Sequence, residues 1–309
     1  NVDAILGFVD RNYSQTAWDT DDNSGVIYSA TQISPLVPLR FTNGTWGYGG
    51  GSNNPVATAT DGGYNRFRSE ELTGNFSATL NILKGLNARA QYAITRENSK
   101  RELFTNKIDY RYPGTDNIVW TNTQFNNLDN RDYINRYQNF TSTLDYDKTF
   151  NKQHVVTLLA GYSQESTSNE GFQAFRQNFA DPNIQVLNGG DQLIQRNSGS
   201  AYEWAIASYF GRVNYSFKDR YLLEGNFRFD GSSRFSEDNR WGFFPSISAG
   251  WIFSEESFFS GIKNIVPFGK VRLSWGQLGN QYVGSGYYPY ITSIGTVGTM
   301  PIGGTQTTG

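Results

Sequence analysis

The most constraining feature of this chain is the stretch Trp204 to Trp251, WAIASYFGRVNYSFKDRYLLEGNFRFDGSSRFSEDNRWGFFPSISAGW. Every second residue of its first limb falls on one face: Ala205, Ala207, Tyr209, Gly211, Val213, Tyr215 and Phe217. Ser208, Arg212, Asn214 and Ser216 lie on the other, with Ile206 and Phe210 among them. After a tight Lys218-Asp219-Arg220 turn, Tyr221, Leu223, Gly225, Phe227 and Phe229 alternate with Glu224, Asn226, Arg228 and Asp230. Period two is the signature of a strand, because successive side chains point to opposite sides of a pleated sheet. Two such limbs across a short turn predict a hairpin.

Alternation is also found in soluble sandwiches, so strand length is the second argument. Each limb has about ten or more residues, where strands of soluble proteins usually have about five or six. Crossing a bilayer as a tilted strand takes about 9–11 residues. One uncharged, aromatic-rich face opposite one charged face, at that length, predicts an all-β, antiparallel transmembrane β-barrel that is apolar outside and polar in its lumen.

The totals agree. Net charge is −2 and the sequence pI is about 5.6, which gives no footing for a nucleic-acid partner. Hydrophobic residues make up only 37% and mean hydropathy is −0.54. That excludes a helical membrane protein, which needs about 20 consecutive apolar residues, but not a barrel, half of whose strand residues are polar. The absence of cysteine removes disulfides and thiolate metal sites. The chain opens at Asn1 without a basic-then-apolar leader and is read as an internal piece of a longer one.

The same design recurs along the chain. Residues Asn1 to Val9 predict the end of a strand. Phe76, Ala78, Leu80 and Ile82, then a Lys84-Gly85 turn, then Leu86, Ala88, Ala90, Tyr92 and Ile94 predict a second hairpin. Phe140, Leu144 and Tyr146, the turn DKTFNKQ, and Val156, Leu158, Ala160 and Tyr162 predict a third. Pro245 to Phe253 and Val271 to Trp275 add two further strands, joined by a 254–269 connection expected to hold a short helix or plug-facing segment. The polar stretches Arg11–Arg68, Arg96–Arg136 and Ser166–Glu203 are read as long loops from their Asn, Gly, Thr, Asp and Ser content, and Gln277–Gly309 as loop-like. Long loops and short turns then collect at opposite rims, as in barrels with long extracellular loops and short periplasmic turns.

The predicted outward faces from Phe76 to Trp275 carry no Asp, Glu, Lys or Arg. A Lys or Arg at the lipid midplane costs about 2–4 kcal/mol, whereas water would tolerate it. The predicted lumen-facing residues are Arg89, Asp145, Arg212, Glu224, Arg228, Asp230 and Arg272, with Lys270 beside them. The predicted lipid-facing aromatics are Tyr146, Tyr215, Phe217, Tyr221, Trp251, Phe253 and Trp275; Tyr146, Tyr215, Phe217, Tyr221 and Phe253 near the short turns, with Tyr92, Tyr162 and Phe229 towards the loops, are placed as interfacial girdles.

Arg212–Trp251, followed by KVRLSWGQLGNQ (Lys270–Gln281), resembles the barrel of SusC/RagA-type TonB-dependent transporters of Bacteroidetes. The hairpin, the DGSSRF loop, the FPS strand and RLSWGQLGN occur in order and at the family's separations. Weaker similarity reaches back to about Asn1 and includes NPVA at 54–57 and LLAGYSQE. The resemblance implies that residues 1–309 are about nine strands of a barrel of about 22 strands with a plugged lumen, the plug and terminal strand lying outside this chain. It implies TonB-dependent import of a glycan or oligopeptide across the outer membrane. It also implies a SusD-like surface lipoprotein as partner and contact with the TonB complex through a segment outside this chain. The readings left beside it are a passive porin and a surface glycan-binding β-protein. No nucleophile–base or paired-acid arrangement points to an enzyme.

Other candidates are weighed on their own residues. Asp19-Thr20-Asp21-Asp22-Asn23-Ser24-Gly25 has the acidity of a calcium loop, but an EF-hand wants Gly at position six and Glu at twelve; Ser24 and Ala30 stand there. It reads as a solvated acidic loop or a calcium loop of another geometry, and no other cofactor is expected. GYGGGS at 47–52 lacks the Gly-Lys-Ser/Thr of a phosphate loop. His154, the only histidine, reads as a surface residue. DGSSRF reads as a turn with an Asp230–Arg234 pairing inside the rim, or as a substrate contact. Trp46, Tyr48, Tyr112 and Trp120 read either as stacking platforms for sugars or peptides or as packing residues.

Overall fold

Strands with unlike faces can share those faces across a sheet only if every neighbouring pair keeps the same parity; a slip of one residue would turn a whole strand over. A computed structural model of the chain describes residues 1–17, 25–49, 54–112, 115–282, 284, 287–291, 299–302 and 305–308. Its elements are β1 (Val2–Thr16), α1 (Val26–Gln32), β2 (Trp46–Gly47), α2 (Pro55–Asp61), β3 (Gly63–Leu83), β4 (Leu86–Thr105), β5 (Asp109–Arg111), β6 (Ile118–Thr121), β7 (Asn127–Phe150), β8 (His154–Gln177), β9 (Gln195–Phe217), β10 (Tyr221–Ser232), β11 (Trp241–Trp251), β12 (Val271–Gly276), β13 (Thr299–Ile302) and β14 (Thr305–Thr308). Nine of them form one sheet in the order β1-β3-β4-β7-β8-β9-β10-β11-β12, antiparallel at every step.

Parity is kept throughout. Tyr162, Tyr209, Phe229 and Phe243 stand opposite one another in one row across β8–β11. Gly161, Phe210, Arg228 and Phe244 form the adjacent row on the other face. Among the described residues the apolar face has no partner layer: Leu80 is 65% exposed, Val213 51%, Ile247 51% and Leu273 75%. Soluble proteins rarely leave so continuous an apolar surface bare.

The turn ends are short. Gly85 takes a φ of +85° between β3 and β4, where a side chain would be strained, and its carbonyl accepts Asp147 N–H at 2.8 Å. The β7–β8 turn is Asn151-Lys152-Gln153, shorter than the seven-residue DKTFNKQ turn expected, because Asp147 to Phe150 still pair with β8. Asn151 and Lys152, like Lys218 and Asp219 in the β9–β10 turn, adopt positive φ, the twist that hairpin turns favour.

The loop ends differ most from expectation. β7 and β8 each run 24 residues, roughly 80 Å along the strand and over twice what a crossing needs. The stretches read as loops at 11–16, 63–68, 96–105, 127–136, 166–177 and 195–203 are strand. Beyond the apolar band both faces meet water, so the alternation that reveals a strand disappears although the ladder continues. Outward-facing charges therefore exist, but at these extensions: Arg66, Arg68, Glu70, Lys100 and Glu102, with Arg68–Glu70 at 2.6 Å and Arg66–Glu102 at 3.5 Å. The apolar outward stretch of β3, Leu72 to Leu83, spans roughly 25–30 Å along the membrane normal at the usual rise and tilt, close to the apolar band of such barrels.

Above the sheet, two small cores hold the loops. Trp46, Ala57, Ile108 and Tyr110 form one, with Tyr48 and Trp120 against it; Phe104, Leu128 and Phe179 form the other. Asn54, fully buried, caps α2 by accepting the N–H groups of Val56 and Ala57, and donates to the carbonyls of Leu39 and Gly47. The NPVA motif is thus a capped helix start, with Pro55 at the first turn. In the tail, β13 and β14 pair as a short hairpin where a loop was expected.

Two outcomes are expected for the full-length protein. Ile247→Arg, in mid-band on the apolar face, lowers unfolding stability in lipid vesicles by about 2–4 kcal/mol, whereas Ser248→Arg, one residue on, changes it little; a denaturant titration reads both. Asn54→Ala leaves two carbonyls and two helix N–H groups without partners, a loss of about 1–3 kcal/mol locally. Hydrogen exchange accelerates over Pro55–Asp61 while β7 and β8 keep their protection.

Candidate functional site

The charged face of the sheet is the candidate site. Arg89, Asp145, Arg212, Glu224, Arg228, Asp230 and Arg272 all stand on it by register. Arg89 lies opposite Thr79 and Thr143. Asp145 accepts from Thr143 Oγ1 at 3.0 Å. Arg212 Nε donates to Asn226 Oδ1 at 2.7 Å, and Asn226 donates to Glu224 at 3.0 Å and to Ser246 at 3.3 Å. Arg228 Nε donates to both Asp230 carboxylate oxygens, at 2.7 and 2.8 Å, and its Nη2 to Ser208 at 2.9 Å. Arg272 donates to Ser248 at 3.2 Å. Asn214, Glu224, Ser248, Lys270 and Arg272 line a hollow in this wall.

The same chemistry continues toward the loop end. Glu97 accepts from Ser69 and Asn135, Asn169 donates to Asn135, and Asp129 takes Arg131 and Gln173. The wall therefore offers many donors and acceptors, nearly all already engaged with neighbours on the same face. Such groups can exchange partners with water or a polar solute at small net cost, since a typical intramolecular hydrogen bond nets only about 0.5–1.5 kcal/mol.

Asn226 joins three strands, and sequence reasoning placed it on this face without singling it out; its two-residue spacing from both Glu224 and Arg228 was the available signal. Phe210 and Phe244, which break the polar pattern, flank Arg228 in one row, and the Arg228 guanidinium sits 6.0 Å from the Phe210 ring. Gly161 leaves the space that ring occupies.

Of the aromatics expected on the apolar face, Tyr146, Tyr215, Phe217, Tyr221, Trp251 and Trp275 stand there. Phe253 does not: β11 ends at Trp251, and Phe253 opens a 3₁₀ helix (Phe253–Glu255), packed 5.2 Å from Phe259. At the loop side of the band, rings touch in sequence: Phe140–Tyr162, Tyr162–Tyr209, Tyr209–Trp241 and Trp241–Phe229. At the turn side, His154 packs on Phe217 and shares a 2.8 Å hydrogen bond between its Nδ1 and the Tyr215 hydroxyl.

The 254–269 connection holds the expected short helix, a second 3₁₀ segment at Ser257–Ile262. Glu256 ties this connection to the sheet, accepting from the Tyr221 hydroxyl at 2.6 Å, Trp251 Nε1 at 3.2 Å and Arg220 Nη1 at 3.2 Å.

The DGSSRF loop forms the expected turn but not the expected pair: Asp230 is taken by Arg228, its neighbour on the same strand face. Ser233 exchanges two hydrogen bonds with the Ala205 backbone, both 2.9 Å. Arg234 lies between the rings of Trp204 and Tyr287, so the loop pins β10 to β9 and to the tail. Trp46, Tyr48 and Trp120 are packing residues of the loop core; Tyr112 is 52% exposed beside Tyr48. The acidic candidate at 19–24 lies outside the described residues, as do residues 50–52 of the glycine-rich stretch.

Comparison with known proteins places these observations. The family model "TonB dependent receptor-like, beta-barrel" matches residues 5–307. The chain is 30% identical over 264 residues to TonB-dependent receptor P3 of Formosa agariphila, covering 82% of this chain and 25% of that protein. It is 41% identical over 117 residues to TonB-dependent receptor SusC of Bacteroides thetaiotaomicron, covering 37% of this chain and 12% of that protein. The chain thus spans about a quarter or less of the length of the curated relatives it matches. Among solved structures, the RagAB peptide importer in its open-open state superposes with a TM-score of 0.67 at 20% identity, covering 89% of this chain and 30% of that one. That likeness establishes a shared fold.

The three donors hold the Glu256 carboxyl below its ordinary value of 4.5, the Tyr221 hydrogen bond first, then Trp251, with Arg220 adding to them. Its folded-state pKa is therefore depressed, so the contribution to docking is present above the ordinary carboxylate range and fades as pH falls through the lowered value. Hydrogen exchange over 252–270, corrected for intrinsic rates, is expected to hold steady from pH 7 to about 5 and to accelerate below the ordinary value. Glu256→Gln weakens protection at pH 7 and removes the acid step.

Proposed function

The chain belongs to the TonB-dependent receptor-like β-barrel family, and from that premise we propose that it forms part of the wall of an outer-membrane importer driven through TonB. The observation that carries this reading is the two-faced sheet: one face of bare apolar and aromatic side chains, the other a continuous hydrogen-bonded polar wall. Hydrocarbon accepts the first and a wet lumen the second. In this reading the cargo is a nutrient, a glycan or an oligopeptide, moving along the wall that carries Arg212, Asn226, Arg228 and Arg272.

A SusD-like surface lipoprotein meets the loop rim, and the TonB complex engages a segment outside this chain. The similarity to SusC and the fold shared with RagAB, named a peptide importer, support both partner assignments. The wall is assigned no catalytic role and no resident cofactor; its charged groups bind and release by exchanging hydrogen bonds.

Uptake by cells producing the full-length protein is the test. Labelled oligosaccharide or oligopeptide enters wild-type cells and fails to enter when TonB is deleted or the proton-motive force is collapsed. Uptake that persists undiminished without TonB replaces this reading with a passive porin. Recovery of the folded protein from a water-soluble fraction without detergent replaces it with a surface binding protein.

A further inference from the structure

Arg96 of β4 and Arg136 of β7 stand directly opposite each other on the outward face. Cross-strand neighbours have Cβ atoms about 4.5–5.5 Å apart, and like charges so placed are destabilising. Both side chains are exposed, and among the described residues neither forms an ion pair. The surrounding cations contrast with them: Arg66 pairs with Glu102 and Arg68 with Glu70. Glu70, one of the two diagonal carboxylates, is thus already engaged, and the other, Glu170, stands opposite Ile134 rather than opposite either arginine. Ser168 continues the row beyond Arg136, adding a hydroxyl beside it, and Glu203 follows Ser168; Arg136, Ser168 and Glu203 line one hollow, and Glu203 forms no ion pair among the described residues.

The height of the pair identifies the anion. Arg96 lies two residues beyond Ile94, roughly 7 Å further along the strand, and opposite Leu72, the last residue of the apolar outward stretch of β3. At that level the neighbour of a barrel is the polar headgroup layer. A guanidinium presents a planar fork of donors that matches phosphate, and one phosphate between two of them turns their repulsion into shared attraction. We propose that Arg96 and Arg136, with Ser168, form a binding site on the outside of the sheet for the phosphate of a membrane-lipid headgroup at the loop-side surface of the bilayer. The proposal rests on the membrane-embedded reading of the sheet and adds a ligand to a face not assigned to cargo.

The test uses the full-length protein purified in detergent, titrated with phosphatidic acid, with phosphatidylcholine or with inorganic phosphate, and read by native mass spectrometry. Wild type retains phosphatidic acid. Arg96→Gln with Arg136→Gln weakens retention about tenfold or more, the scale of a lost charge-assisted hydrogen bond. Arg96→Lys with Arg136→Lys falls between, and Arg66→Gln with Arg68→Gln leaves retention unchanged. Equal retention by the Arg96→Gln and Arg136→Gln protein overturns the site, as does equal retention of phosphatidylcholine, which would mark contact with acyl chains alone. Inorganic phosphate displacing the lipid at equal concentration overturns the lipid assignment. Protein that stays folded and monodisperse with no detergent sinks the membrane reading itself, whereas folded, detergent-dependent protein that binds no lipid sinks only this site.

Discussion

The structure depends on the antiparallel hydrogen-bond ladder and the parity it imposes. Inside hydrocarbon no water replaces a missing backbone partner, so each strand in the apolar band must satisfy its N–H and C=O groups on its neighbours. The same ladder decides where side chains go. Arg228 sits opposite Phe210 and Phe244 on one face, while Phe229 sits opposite Tyr209 and Phe243 on the other. A slip of one residue between β9 and β10 would turn one strand over against the other; a slipped β10 would put Arg228 and Asp230 among the aromatics of the apolar face. Pairing energy and side-chain placement are therefore one constraint.

This explains what could be read from sequence and what could not. Within the band the two faces meet unlike surroundings, and selection for each shows as period two, so the band-spanning parts of the strands around Phe76–Ile94, Phe140–Tyr162 and Trp204–Trp251, and their turn-side ends, were legible. Above the band both faces meet water, and Arg66–Arg68 or Ser166–Gln177 carry no contrast to reveal their pairing. Phe253 failed for the opposite reason. It continued the alternation of β11 by one more step, but the ladder's last bond is Ile252 N–H to the Arg220 carbonyl, and the chain then turns into the 3₁₀ helix from Phe253, closed by Glu255 N–H on the Ile252 carbonyl. Alternation reports the surroundings of side chains, and the end of a strand is decided by backbone partners.

The loop end shows the same limit for site residues. An aromatic in a polar stretch suggests a ligand platform, yet Trp46 is buried against Ala57, Ile108 and Tyr110, and its indole N–H donates to Asp61 at 2.9 Å. A long excursion needs a core of its own, and Trp is among the residues that supply most of one. Asp230 and Arg234 share the most recognisable motif and are four residues apart, which invited pairing them. The strand geometry instead brings Arg228 and Asp230 to the same side, two residues apart, and sends Arg234 to the rings of Trp204 and Tyr287.

Most of the wall's charged groups already have partners on their own face. Arg228 has its carboxylate and hydroxyl, Arg212 its amide, and Asn226 passes the contact on to Glu224 and Ser246. In the proposed reading, an unpaired charge on this wall would hold the first complementary group that reached it, and a transporter that binds too tightly cannot release. Side-chain pairs that are partly exposed contribute about 0–1 kcal/mol, small enough to open for a passing hydroxyl or amide and to close behind it. Weak, numerous and mutually substitutable contacts are what the proposed role as a surface for passage requires. The contrast with Asn54 is physical: its side chain is fully buried, and its four bonds hold a loop in place.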